Sequence, residues 1–138
     1  MRVDAELLVA VGIELEPVAY AAALEVVDVG RPPEDFESIV AGNVWHRAFA
    51  IGPVRAEPPP DVVTAAVHIN GERTGSTEQR VDGREPVRIA SELLPAVGER
   101  LEPGDRIIGG SLVHVPVERG DDVVVDLGEL GRVGVRVR

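Results

Sequence analysis

The sequence predicts an α+β fold in which strands dominate, a mixed β-roll carrying two or three short helices. Three observations predict it. Aromatics make up only 3% of the chain within an apolar fraction of 44%, so Val, Leu, Ile and Ala build the core, and valine favours strands. Most apolar stretches are short and separated by Gly, Pro and Asp turns, whereas helical spacing occurs in only two or three places. The 138 residues are long enough to bury the core of one domain.

Residues 3–11 read as a buried strand. Pro17 opens a short Ala-rich segment to Ala23, one or two helical turns, that runs into a strand at 24–28. Gly30-Arg31-Pro32-Pro33 is a loop, with Pro33 well placed to start a helix at about 34–40. Residues 48–51 form a short strand closed by Gly52-Pro53, and Glu57-Pro58-Pro59-Pro60 is a stiff surface connection. The alternating stretch 62–69 runs into Asn70-Gly71, the strongest short hairpin signal, with 72–81 as the returning strand. Pro86 stands in the first turn of a helix whose Val87, Ala90, Leu93, Leu94 and Val97 give one buried face, ended by Gly98. Short strands follow at 106–109, 113–117, 122–127 and 131–137. The sequence contains no internal repeat.

Several function classes are excluded. The net charge of −10, with no basic run, repels phosphate backbones, so nucleic acid is not an expected partner. No apolar run approaches the roughly 20 residues needed to cross a bilayer, and the first residues are acidic where a signal peptide is basic. A cytoplasmic location without membrane attachment is the expectation. The absence of cysteine removes thiolate nucleophiles and thiolate metal sites. All 14 basic residues are arginine, which excludes Schiff-base chemistry and a lysine general base. His46, His68, His114 and any perturbed carboxylate are the remaining proton carriers near neutral pH.

The segment Leu101-Glu102-Pro103-Gly104-Asp105-Arg106-Ile107-Ile108-Gly109-Gly110-Ser111 is similar to the L-x-x-GD-x-I-x-TGS signature of 2-keto-4-pentenoate hydratases. The pieces around it keep the same order: Ala22-Ala23-Leu24-Glu25-Val26-Val27-Asp28, Ile39-Val40-Ala41-Gly42-Asn43, Gly83-Arg84-Glu85-Pro86-Val87, Gly120-Asp121, and the closing Gly128 to Val135. Together they resemble the C-terminal, metal-binding part of the fumarylacetoacetate hydrolase superfamily. The resemblance implies a β-rich fumarylacetoacetate-hydrolase C-terminal-like fold over residues 1–138, without the N-terminal region of those proteins.

It also implies a site. Relatives hold Mg²⁺ or Mn²⁺ with a Glu-x-Glu pair and a third Glu on the next strand, matched here by Asp4, Glu6 and Glu25. The residue types agree. Residues i and i+2 of a strand share a face, and an all-carboxylate set suits a hard cation. An acidic pair at this spacing is equally what a chain with 24 acids places on a solvated face.

The resemblance implies a lyase, hydratase- or decarboxylase-like, acting on a small 2-oxo or 2-hydroxy-dienoate acid through an enolate that the metal stabilises. The chain departs from the pattern in having no lysine, Gly109 for the signature's Thr, and Val44-Trp45-His46-Arg47 where relatives keep small residues. These point to a remodelled pocket. Its candidate catalytic groups are His46, Arg47 and His114, and its candidate substrate contacts are Arg31, Trp45 and Ser111. The bland readings are a Trp45 core plug, surface roles for His46 and Arg47, a solvated Arg31, a strand-end His114 and a plain turn hydroxyl at Ser111. Two other functions fit the scaffold: a metal-independent biosynthetic enzyme, or a non-catalytic subunit of a split hydratase. A homo-oligomer, or a partner chain supplying the N-terminal portion, is expected to cover apolar surface.

Overall fold

The computed structural model describes residues 1–29 and 36–138. Eight strands form two four-stranded sheets. The first has the order β3 (His46–Ile51), β2 (Pro17–Val27), β1 (Arg2–Val11), β6 (Arg106–Pro116); the second has β5 (Glu72–Arg80), β4 (Val62–Ile69), β7 (Asp122–Asp126), β8 (Arg132–Arg136). The helices α1 (Phe36–Ala41) and α2 (Glu85–Leu93) are short. Strands dominate and helices are few, as expected. Every pairing among the described strands is antiparallel, so the mixed character is not seen there. No helix among the described residues is long and apolar enough to cross a membrane.

The core lies between the sheets. Val3, Ala5, Leu7 and Val9 of β1 meet Val63, Ala65, Val67, Val123 and Val125 from the other sheet in one buried cluster. On the opposite face of β1, Leu8 packs with Ala21 and Ala23 in a smaller cluster flanked by Ile51 and Ile108. Strand alternation explains both sets, since neighbours along a strand point to opposite faces.

Three expectations are corrected. Residues 17–23 are not helical: they open the 11-residue strand β2. Ala21, Ala22 and Ala23 are wholly buried and paired along β1, so tertiary pairing overrides alanine's helix preference. The two strands expected at 106–117 are one, β6, interrupted by an irregularity described below. The helix expected near 34–40 is described only from Phe36, and its start lies outside the described residues. Finally, Leu93 and Val97 are 64% and 73% exposed: Leu93 lies off the face of Val87, Ala90 and Leu94 that meets the core, and Val97 stands in the 3₁₀ turn that follows α2. Asn70-Gly71 turns the β4–β5 hairpin as expected, both residues having positive φ (52° and 86°).

Gly52 follows β3 at a close approach between the sheets. A Cβ there would lie 2.7 Å from the Arg132 carbonyl oxygen of β8 and 3.3 Å from that of Ala22, both backbone atoms. Gly52→Ala is therefore expected to destabilise the fold by about 1–3 kcal/mol, measured by urea unfolding. A change within about 0.5 kcal/mol, the usual range for a surface substitution, would show that the sheets are free to move apart there.

Candidate metal centre

The site grows from the register of β1. Asp4 stands opposite Glu25 of β2 on one side and opposite His114 of β6 on the other. Glu6, two residues on, shares the Asp4 face. Both β1 acids are only 5% exposed, and Glu25 is partly buried.

Opposite Glu6 the β1–β6 ladder breaks. Ala5 pairs with Val113 and Leu7 with Gly109, so Gly110, Ser111 and Leu112 together face one residue. Gly110 and Ser111 take positive φ there. This bulge turns the Ser111 backbone amide onto the Glu6 carboxyl and lets the Ser111 hydroxyl donate to Asp4 Oδ1. His114 Nδ1 reaches the same oxygen at 2.7 Å. Bulges commonly re-aim side chains in this way.

On the other flank His46 Nδ1 lies 2.5 Å from Glu25 Oε1. A left-handed turn delivers it, with Asn43, Val44 and Trp45 at φ of 53°, 52° and 63°. Such a conformation is costly for a β-branched residue like Val44. Phe49 of β3 is the direct neighbour of Glu25, and its ring centre lies 5.9 Å from that of His46.

Burial pushes the Glu6 carboxyl up to about 7; the Ser111 amide opposes this, and the charges of Asp4 and Glu25 add to it. Desolvation and like charge both favour the neutral acid. The three carboxylates are thus within electrostatic reach of one another.

Their chemistry fits a hard divalent cation. Asp4 Oδ1 and Glu25 Oε1 are each held by a histidine, and the second oxygen of each carboxylate makes no hydrogen bond with the described residues. Ring nitrogens that steady a carboxylate in this manner are the usual surroundings of a metal ligand set. Among the described residues no group of three or more His, Asp or Glu side chains is disposed to hold a metal ion; Asp4, Glu6 and Glu25 would have to draw together to hold one.

The other candidate residues fall as follows. His46 and His114 touch the acids directly. Ser111 donates its hydroxyl to Asp4, a positioning contact rather than the expected ligand contact. Arg47 is 60% exposed and points to Asp28, with Nη2 3.5 Å from Oδ2; a bulge between Val26 and Val27 in the β2–β3 ladder sets it apart from the carboxylates. Trp45 is half-buried, and its carbonyl accepts the Asp28 amide. Arg31 lies outside the described residues. His68 pairs with Val124 and Arg73 in the second sheet, away from the site. Sequence reasoning missed Phe49, whose place beside Glu25 depends on the irregular β2–β3 register.

No family model matches the sequence, and no curated protein matches it. Solved structures do. The chain is similar to 4-oxalocrotonate decarboxylase from Pseudomonas putida G7 complexed with magnesium and adipate, with a TM-score of 0.80 at 22% identity over 99% of this chain and 60% of that one. Fumarylpyruvate hydrolase from Pseudomonas aeruginosa, in complex with Mn²⁺ and pyruvate, gives 0.69 at 23% identity over 99% and 65%. A 5-carboxymethyl-2-hydroxymuconate delta-isomerase from Mycobacterium smegmatis gives 0.69 at 19% over 99% and 58%. The chain therefore has the β-rich, fumarylacetoacetate-hydrolase C-terminal-like fold. It spans about 60% of the length of these proteins.

The raised Glu6 carboxyl has a measurable consequence in the metal-free protein. Its folded value of about 7 lies above the ordinary 4.5, so the folded state binds the proton more tightly. The stability this confers is complete below pH 4.5 and is lost as pH rises to 7, by about 3 kcal/mol. Glu6→Gln keeps the neutral shape and is expected to remove that part of the slope in urea unfolding between pH 4.5 and 7.5. Parallel wild-type and variant profiles would show that Glu6 is not held neutral.

Proposed function

We propose that this chain is a divalent-metal-dependent enzyme, lyase-like, acting on a small 2-oxo or 2-hydroxy-dienoate acid through its enolate. The observation that carries the reading is the convergence of Asp4, Glu6 and Glu25, with Glu6 held up to about 7. Support comes from the fold's solved neighbours, which are a decarboxylase, a hydrolase and an isomerase with magnesium or manganese in two of them. Asp4, Glu6 and Glu25 would hold Mg²⁺ or Mn²⁺, which supplies the Lewis acidity that favours an enolate.

The chain's own groups supply the rest. Ser111 and His114 fix Asp4 from one side. His46, half-buried against Glu25, bonds through Nδ1, which would leave Nε2 to carry a proton to or from the carbon beside the oxo group. Phe49 gives that ligand an apolar wall. With no lysine available, His46 is the neutral-range base best placed for the step. Self-association, or pairing with a second chain, belongs to the same proposal. The exposed apolar Ile89 and Leu93 of α2 and Val97 of the 3₁₀ turn after it support it, and a clean monomer in sedimentation at micromolar concentration would remove it.

Deuterium exchange at C3 of pyruvate in D₂O, followed by NMR, tests the chemistry because it reads enolisation directly. Wild type with Mn²⁺ should catalyse exchange, and chelation should stop it. Absence of any catalysed exchange would sink the proposal. His46→Gln is expected to slow exchange by about 10²–10⁴-fold with Mn²⁺ affinity retained. His114→Ala should instead weaken Mn²⁺ binding by about 10–100-fold, the usual cost of losing a group behind a ligand. Glu25→Gln should weaken it further. Equal effects of the two histidine variants on binding and rate would show that their roles are not divided in this way.

A further inference from the structure

Away from the carboxylates, Tyr20 of β2 borders a cleft of about 680 Å³. Tyr20 and Glu25 stand an odd number of residues apart on that strand, so they point to opposite faces, about 17 Å from one another. Tyr20 is the chain's one tyrosine and is only 6% exposed. Its amide donates to the Arg55 carbonyl at 2.7 Å, and the Arg55 amide returns the bond at 2.8 Å. Its ring lies against Gly83 and Pro59: a Cβ on Gly83 would come within 2.6 Å of the ring and 3.1 Å of Pro59. The ring is therefore held in place on both counts. Its hydroxyl makes no hydrogen bond with the described residues. The charges of Arg84, Asp82 and Glu16 all act on that hydroxyl, and the same three side chains line the cleft, which puts the hydroxyl at the cleft. Burial pushes it above the usual tyrosine range, with Arg84 opposing and the two acids adding. Near neutral pH it stays protonated, a donor and an acceptor at once.

The free charges around the cleft are of both signs. Asp82 Oδ1 accepts the Arg84 amide at 2.9 Å, and Glu85 lies 3.5 Å from Arg88. Glu16, Asp61, Arg80 and Arg84 also line the cleft, yet their side chains make no ion pair with one another or with the other described residues. A lone anion there meets Glu16 and Asp61, and a lone cation meets Arg80 and Arg84. A molecule carrying both charges finds a complement for each. Pro17, Pro59 and Val81 add apolar lining. We propose that this cleft binds a small zwitterion, an α-amino acid with an apolar side chain, its carboxylate taken by Arg84 and the Tyr20 hydroxyl and its ammonium by Glu16. Both ends then make charge-assisted hydrogen bonds, the stronger kind. This site and the carboxylate centre stand or fall separately.

Labelling tyrosine with ¹³C at Cζ gives one NMR resonance, at the cleft itself. L-Valine is titrated beside isobutylamine, which lacks its carboxylate, and 3-methylbutanoate, which lacks its ammonium. L-Valine should shift the resonance saturably, with each fragment at least about tenfold weaker. Arg84→Gln should weaken L-valine by about tenfold without weakening isobutylamine, and Glu16→Gln should weaken L-valine by about as much without weakening 3-methylbutanoate. Both positions are exposed, and an unchanged pattern of backbone amide shifts away from the cleft shows that each variant folds. Three results overturn the proposal: no saturation by L-valine up to about 50 mM, far above an ordinary millimolar Kd; a fragment that binds as tightly as L-valine; or L-valine affinity retained in both variants.

Discussion

β1 is buried on both faces, and the site follows from that constraint. One face of an antiparallel strand commonly meets solvent, but here Val3, Ala5, Leu7 and Val9 enter the inter-sheet core while Asp4, Glu6 and Leu8 are buried on the other side. A slip of one residue would drive the acids into the core and the valines out, so the register is strongly fixed. Burying two acids side by side is unfavourable unless each is satisfied. Ser111 and His114 satisfy Asp4, and Glu6 gains the Ser111 amide and a proton held to about pH 7. The β6 bulge that supplies these contacts is thus required by the same alternation that makes the core.

Much of this was legible in the sequence, for identifiable reasons. The i, i+2 acids, the Asn70-Gly71 hairpin and the Gly98 stop, whose φ is 79°, are local features whose outcome depends on a few neighbouring residues. What failed depended on distant partners. The alanines of β2 look helical until β1 is laid beside them. Leu93 and Val97 keep helical spacing, yet the core takes the face of Val87, Ala90 and Leu94 and leaves both exposed. Arg47 looked like a ligand clamp because it follows His46, but the β2–β3 bulge separates the two.

The electrostatics of the face pose a problem that any anionic ligand must meet. Three carboxylates converge in a protein of net charge −10, and at close range in a poorly hydrated site like charges repel strongly. A divalent cation held among the acids, as proposed above, would change the sign locally, and a rigid, doubly buried β1 would hold its ligands better than a loop would.

The two histidines look equivalent in the sequence, but the fold treats them differently. His114 sits on β6 across the ladder from Asp4, sharing with Ser111 one oxygen of a nearly fully buried carboxylate. Turning that ring away would leave a buried anion short of a donor, which is costly, so His114 is tied to Asp4. His46 begins β3, the last strand of its sheet, after three residues in left-handed conformation, beside the exposed ring of Phe49. Its partner Glu25 is less buried, so releasing the contact there leaves an acid that water can still reach. A proton carrier must exchange its proton with ligand and solvent in turn. In the reading proposed above His46 is the one whose release leaves no deeply buried anion, and the strain in the turn before it is of the kind that persists where position matters more than local stability.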